Sequence, residues 1–202
     1  MEVPSSIFGL SIEYRMKENN KVVIRSATEA DVWLLARNVL DAVGMSEPDT
    51  EMISMVAEMC RKTDVLYSWK HTLVAEMEGV GVGTLTCYDG ADYCAMRAVT
   101  FPIIAQNSGH DYRDMEMETE PGEFYLDSLA VLPEYRNRGV ATALLEAGIG
   151  RARQLGIALA TLVVSPEKPA VQRLYESMGF RFFQEMFLFG ERYRKMGLKV
   201  EM

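Results

Sequence analysis

Cysteine, histidine and tryptophan are scarce in this chain, and it has no long apolar run. Of its 202 residues, three are Cys (Cys60, Cys87, Cys94), two are His (His71, His110) and two are Trp. An odd cysteine count without a C-x-x-C pair argues against a disulfide framework and for reduced thiols, as in a cytoplasmic protein. Neither histidine pairs with a cysteine on spacing, so thiol catalysis finds no support. With no H-E-x-x-H and no paired cysteines, no metal site is expected. Cationic side chains are also in short supply: 21 Lys and Arg against 29 Asp and Glu leave a net charge of −8. That balance excludes generic nucleic-acid binding, which needs a basic surplus to neutralise phosphates. No segment approaches the roughly 20 apolar residues of a membrane span. The opening "MEVPSSIFGLSIEYR" lacks the cationic start of a signal peptide.

What the chain does have is the composition of a globular domain, 49% hydrophobic and 25% charged. Residues 1–20 read as a polar tail, and 21–202 as one domain. "KVVIRSATEAD" gives a strand over 21–25, then Thr28 as N-cap with Asp31 three residues on, and a helix over 29–42. A second helix starts near Pro48, with Met52, Met55, Val56 and Met59 on one face. "HTLVAEM" and "GVGTLTCY" read as strands joined at "EGVG". Gly79, Gly81 and Gly83 have the wrong spacing for a dinucleotide fingerprint, and strand residues follow them. Residues 89–121 form an insertion: "DYCAMRAVTFPIIAQ" as a helix broken near Pro102, then "NSGHDYRDMEMETEPG" as an acidic loop.

Past Pro121 and Gly122 the pattern sharpens. "EFYLDSLAVL" is a strand and "PEYRNRG" a turn. A helix follows over 140–155, burying Ala141, Leu144, Leu145, Gly148, Ala152 and Leu155. "IALATLVV" reads as a strand buried on both faces, and "SPEKPAVQRLYESMGF" as a helix closed by Gly179. "RFFQEMFLF" and "YRKMGLKV" are further strands. Strand–helix–strand–helix–strand implies an α/β domain, a central sheet flanked by helices.

In "YRNRGVATALL" two arginines stand at the end of a helix that already carries positive dipole, where they are unfavourable unless an anion is nearby. The first N–H groups of a helix have no intrahelical partner. Gly139 permits close backbone approach and Ala141 keeps the next turn small, so the stretch reads either as a phosphate cradle or as a surface turn whose arginines are merely solvated.

The run "LDSLAVLPEYRNRGVATALLEAGIGRARQLG", followed by "LVVSPEKPAVQRLYESMGF", resembles the GNAT N-acetyltransferase superfamily. Arg136-x-x-Gly139-x-Ala141 matches its phosphate motif and "AVQRLYESMGF" its second diagnostic segment. The resemblance implies a mixed, mostly antiparallel sheet with a splayed parallel pair, and acetyl-CoA as donor. It implies that the backbone of Leu129, Ala130 and Val131 pairs with the pantetheine arm. It further implies that Arg136, Asn137, Arg138, Gly139, Val140, Ala141 and Thr142 surround the pyrophosphate. Tyr175 matches the tyrosine that protonates the departing thiolate. Glu167 stands where the family often has Asn, which puts that contact to the pantetheine in doubt. Family members often pair through C-terminal strands, which admits a homodimer.

Acetyl transfer to an amine needs a neutral nucleophile, yet an alkyl amine with a pKa of about 10.4 is mostly protonated at neutral pH. A base is therefore useful. Strand alternation places Glu123, Tyr125, Asp127, Leu129 and Val131 on one face, making Asp127 and Glu123 the candidates. The Leu129 amide is the candidate oxyanion donor. Seven carboxylates between Asp111 and Asp127 face one arginine, Arg113, and would draw cationic amines or merely solvate a loop. The expected function is acetyl transfer to a primary amine by direct attack in a ternary complex, with a small cationic acceptor. The alternatives are a non-catalytic CoA-binding module and a protein-lysine or N-terminal acetyltransferase.

Overall fold

The computed structural model describes residues 21–45 and 47–201, and the backbone of 12–15. Most of the expected 1–20 tail lies outside the described residues, but Ile12–Arg15 form a strand, β1. Then come β2 (Lys21–Ser26), α1 (Val32–Ala42), α2 (Thr50–Arg61), β3 (Thr72–Met77) and β4 (Val80–Asp89). After α3 (Tyr93–Ser108), the chain continues through β5 (Glu123–Val131), α4 (Val140–Gln154), β6 (Leu159–Val164), α5 (Pro169–Ser177), β7 (Arg181–Leu188) and β8 (Glu191–Lys199). The strand order is β1-β2-β3-β4-β5-β6-β8-β7. β5 and β6 are a parallel pair, registered from Glu123↔Leu159 to Tyr125↔Thr161; the other registered pairs are antiparallel. Among the described residues, no helix is long and apolar enough to cross a membrane.

The chain forms two compact units, and β4, β5 and α4 each contribute to both. Among the described residues, the first holds those up to Thr63, with 67–86 and 128–148. Its α1 begins after a short 3-10 turn, where Asp31 accepts hydrogen bonds from the Thr28 N–H (2.8 Å) and hydroxyl (2.9 Å). Burial pushes the Asp31 carboxyl up, but the bonds from Arg25 and Thr28 outweigh it and hold the group below its ordinary value. α1 buries Val32, Leu35, Ala36, Val39 and Leu40. α2 is capped by Asp49, which accepts from Met52 N–H at 2.8 Å. Its buried face is Val56, Ala57, Met59 and Cys60, with Met55 exposed. Of the expected stripe Val56 and Met59 are buried and Met52 is half-buried, while 100° per residue carries Met55 past the edge of the contact surface.

The second unit holds 64–66, 87–127 and 149–202. Two expectations change here. α3 is one continuous helix through Pro102, where a break was expected; on either side of it the Thr100 hydroxyl donates to Met96 O at 2.8 Å and the Asn107 side-chain amide to Ile103 O at 2.7 Å. Leu155 is exposed, because α4 ends at Gln154. β6 is buried along most of its length, as its unbroken apolar run implied. Gly179 closes α5 as expected, with Gly179 N–H bonded to Glu176 O and Phe180 N–H to Tyr175 O, each at 3.1 Å.

Candidate active site

The turn expected to cradle phosphate lies in the first unit. β5 ends at Val131, a 3-10 turn covers Pro133–Tyr135, and α4 opens at Val140. Asn137 (φ 60°) and Gly139 (φ 77°) both occupy the left-handed region, the first tolerable for Asn and the second the natural place for Gly. The first helical bond runs from Ala143 N–H to Gly139 O at 3.0 Å, so the preceding amides have no intrahelical acceptor. Val140 is buried while Arg136, Asn137 and Arg138 are exposed. Both arginines already have partners in the chain. Arg136 donates from Nε to Val131 O (2.8 Å) and from Nη2 to Asp41 Oδ2 (2.9 Å). The Arg138 guanidinium sits 5.3 Å from the centre of the Tyr135 ring. Ala141, Thr142 and Leu129 are half-buried, and Ala130 and Val131 are buried. The turn is tied to β4 by Leu132 N–H donating to Val82 O at 2.9 Å.

In the second unit the first half of β5 carries a polar row. Glu123, 3% exposed, accepts on one carboxylate oxygen from Lys195 Nζ (2.7 Å), Thr119 Oγ1 (2.8 Å) and Thr161 Oγ1 (3.0 Å). Tyr125 donates to Glu118 at 2.7 Å, and Tyr93 donates to the other Glu118 oxygen at 3.1 Å. Tyr88 donates to Asp127 Oδ2 at 2.7 Å. The Tyr88 ring lies 5.8 Å from Tyr125 and 6.4 Å from Tyr93, centre to centre. Burial raises the Glu118 carboxyl above its ordinary value, although Tyr125, Tyr93, Arg97 and Lys195 pull it back. Burial, with the charges of Asp127 and Glu118, also drives Tyr88 and Tyr125 well above the usual phenol range.

Much of this row comes from residues the sequence did not single out. Glu118 belongs to the stretch read as an acidic loop, but that loop folds around Arg97. The Arg97 guanidinium donates to the carbonyls of Tyr112, Arg113, Met115 and Glu116. Gly90 lets the loop come close, since a Cβ there would meet Glu120 O at 2.2 Å. Asp111 binds Arg113 and is held at about 2 by it. An arginine fourteen residues before an acidic run was the available clue, but the fold alone pairs it with backbone carbonyls.

Tyr175 is buried on α5 with its ring 6.1 Å from Phe180, and burial pushes its phenol up to about 12. Glu167 is exposed in the turn before α5, its N–H donating to Ser165 Oγ at 3.2 Å. Burial pushes Cys60 up to about 12 and also raises Cys87, so neither is an activated thiol. Among the described residues, no group of three or more His, Cys, Asp or Glu is placed to hold a metal ion.

The model of the Acetyltransferase (GNAT) family matches residues 38–180, which take in the turn before α4, β5 and α5. The chain belongs to the GNAT family. Its fold agrees with solved GNAT structures. One, described as an acetyltransferase, is 29% identical with a TM-score of 0.71, over 88% of this chain and 99% of that one. An N-acetyltransferase from Staphylococcus aureus Mu50 is 21% identical, also with a TM-score of 0.71, over 87% and 99%. The ribosomal-protein-S18-alanine N-acetyltransferase from Escherichia coli shares the fold at 19% identity and a TM-score of 0.57, over 90% and 95%. No curated protein matches the sequence. This GNAT chain is an N-acetyltransferase, and its family uses acetyl-CoA.

Proposed function

We propose that this enzyme transfers the acetyl group of acetyl-CoA to a primary amine of a small cationic acceptor, by direct attack with both substrates bound. The observation that carries this reading is the turn at 136–142, with two left-handed residues leading into the free amides of α4 inside a GNAT fold. The amides of 138–142 would hold the pyrophosphate, with the Thr142 hydroxyl beside them and the macrodipole of α4 favouring the anion. The backbone of Leu129, Ala130 and Val131 would pair with the pantetheine, since the β5–β6 ladder ends at Tyr125↔Thr161 among the described residues. Bound acetyl-CoA supplies a thioester open to attack by an amine.

Asp127 is our base, taking a proton from the acceptor ammonium directly or through water. Its carboxylate is half-buried and oriented by Tyr88. Glu123, the other candidate, is committed to Lys195 and two threonines, so we assign it to holding β5, β6 and β8 together. Tyr175 donates a hydrogen bond toward the leaving sulfur. With its phenol near 12 and a thiol near 8.5, full proton transfer runs uphill, so its contribution is modest. A small cation suits a half-buried carboxylate in a chain of net charge −8.

The test is thiol release from acetyl-CoA against polyamines, amino acids, aminoglycosides and basic peptides. Asp127→Asn is expected to lower kcat about 100-fold or more with CoA affinity unchanged, and Tyr175→Phe to lower it by about tenfold. Turnover of basic peptides in preference to every small amine would refute the acceptor assignment.

A further inference from the structure

We propose that Asp41, near the end of α1, is a positioning residue for the phosphate turn. It holds Arg136 as a strut, so that the coenzyme's phosphates meet backbone amides and not the Arg136 guanidinium. The inference rests on reading 136–142 as the cradle for CoA. Arginine grips phosphate best through two parallel N–H groups of its planar fork. In Arg136 one edge of that fork is already used, Nε on Val131 O at 2.8 Å and Nη2 on Asp41 Oδ2 at 2.9 Å. The first bond closes the turn on its own strand, and the second ties it to α1. α1 is in turn fixed to β4 by the buried bond from Asn38 Nδ2 to Thr84 Oγ1 at 3.0 Å. Leu132 N–H to Val82 O, at 2.9 Å, fixes the other side of the turn. The left-handed Asn137 and Gly139 lie directly after the braced arginine. The chain therefore sets the direction of the following amides before any ligand arrives.

The pair is partly exposed, 48% for Arg136 and 32% for Asp41. Such pairs add little to global stability, so the effect belongs in ligand affinity. By charge alone, removing a carboxylate near a phosphate site should tighten binding. Weakened binding is thus the mark of a positioning role.

The experiment is calorimetric titration of CoA into wild type, Asp41→Asn, Asp41→Glu, Arg136→Ala and the Asp41→Asn/Arg136→Ala double variant, with melting temperature and steady-state kinetics for each. We expect Asp41→Asn to weaken CoA about two- to fivefold, to raise KM for acetyl-CoA equally and to leave kcat and melting temperature unchanged. Asp41→Glu should recover most of the affinity, and the double variant should bind no more weakly than Arg136→Ala. Tighter or unchanged CoA binding in Asp41→Asn, or additive losses in the double variant, would overturn the strut while leaving the cradle in place. A wild-type enzyme that binds no CoA would overturn both.

Discussion

In the turn we propose for the phosphates the charged side chains lie at the surface, and the backbone amides that open α4 have no intrahelical acceptor. Along the first half of β5 the arrangement is inverted. There the backbone is spent in the sheet, and carboxylates and tyrosines, all buried but the half-buried Asp127, hold one another: Glu123 with Lys195, Glu118 with Tyr93 and Tyr125, Asp127 with Tyr88. The contrast follows from what each region has to do. A diphosphate can be held by amides that a turn presents whatever its side chains are, provided φ is right. An ammonium acceptor needs a carboxylate, and a carboxylate out of water needs partners of its own.

The two regions should therefore break differently. The largest effect is expected from Lys195→Met, which strands the 3%-exposed Glu123 carboxylate. A loss of about 3–5 kcal/mol should appear in urea unfolding, and much of it should return in the Glu123→Gln/Lys195→Met double variant. Gly139→Ala comes next: a Cβ at φ 77° is strained by about 1–2 kcal/mol, and CoA affinity should fall by tenfold or more as the amides turn away. Glu118 gives a smaller, pH-dependent effect. Its folded carboxyl is raised, so in the native state it keeps a proton that the unfolded chain has lost. Stability should fall as pH rises from about 4.3 through the raised folded value and then level off. Glu118→Gln should remove that slope in unfolding curves measured across pH. The smallest effect belongs to Arg138→Gln, whose charge is exposed and stacked on Tyr135. CoA affinity should drop about twofold, and less at high salt.

The turn before α4 was legible in the sequence because its geometry is local. Gly139, Ala141 and the start of α4 lie within a few residues, and a turn that needs a left-handed residue shows it as glycine. The Glu78–Gly79 turn, the Asp31 carboxylate at Thr28 and the closure at Gly179 were readable for the same reason. The polar row of β5 depends on distant pairings. Lys195 is 72 residues from Glu123, and Tyr88 is 39 from Asp127. Alternation along β5 put Glu123 and Asp127 on one face, yet nothing local says which of them the sheet will neutralise. The acidic look of 111–127 misled in the same way. Composition counts Glu118 as a surface charge, whereas the fold buries it under two phenols and wraps its loop around Arg97. Pro102 within α3 shows tertiary packing overriding a local breaker.

We propose that the two regions divide the work, the turn binding the donor and Asp127 moving the acceptor's proton. The most direct test is steady-state kinetics of Gly139→Ala beside Asp127→Asn on one accepted amine. The division predicts that Gly139→Ala raises KM for acetyl-CoA with kcat nearly intact, and that Asp127→Asn lowers kcat with that KM intact. Both variants failing in the same constant, or Asp127→Asn turning over at the wild-type rate, would contradict it.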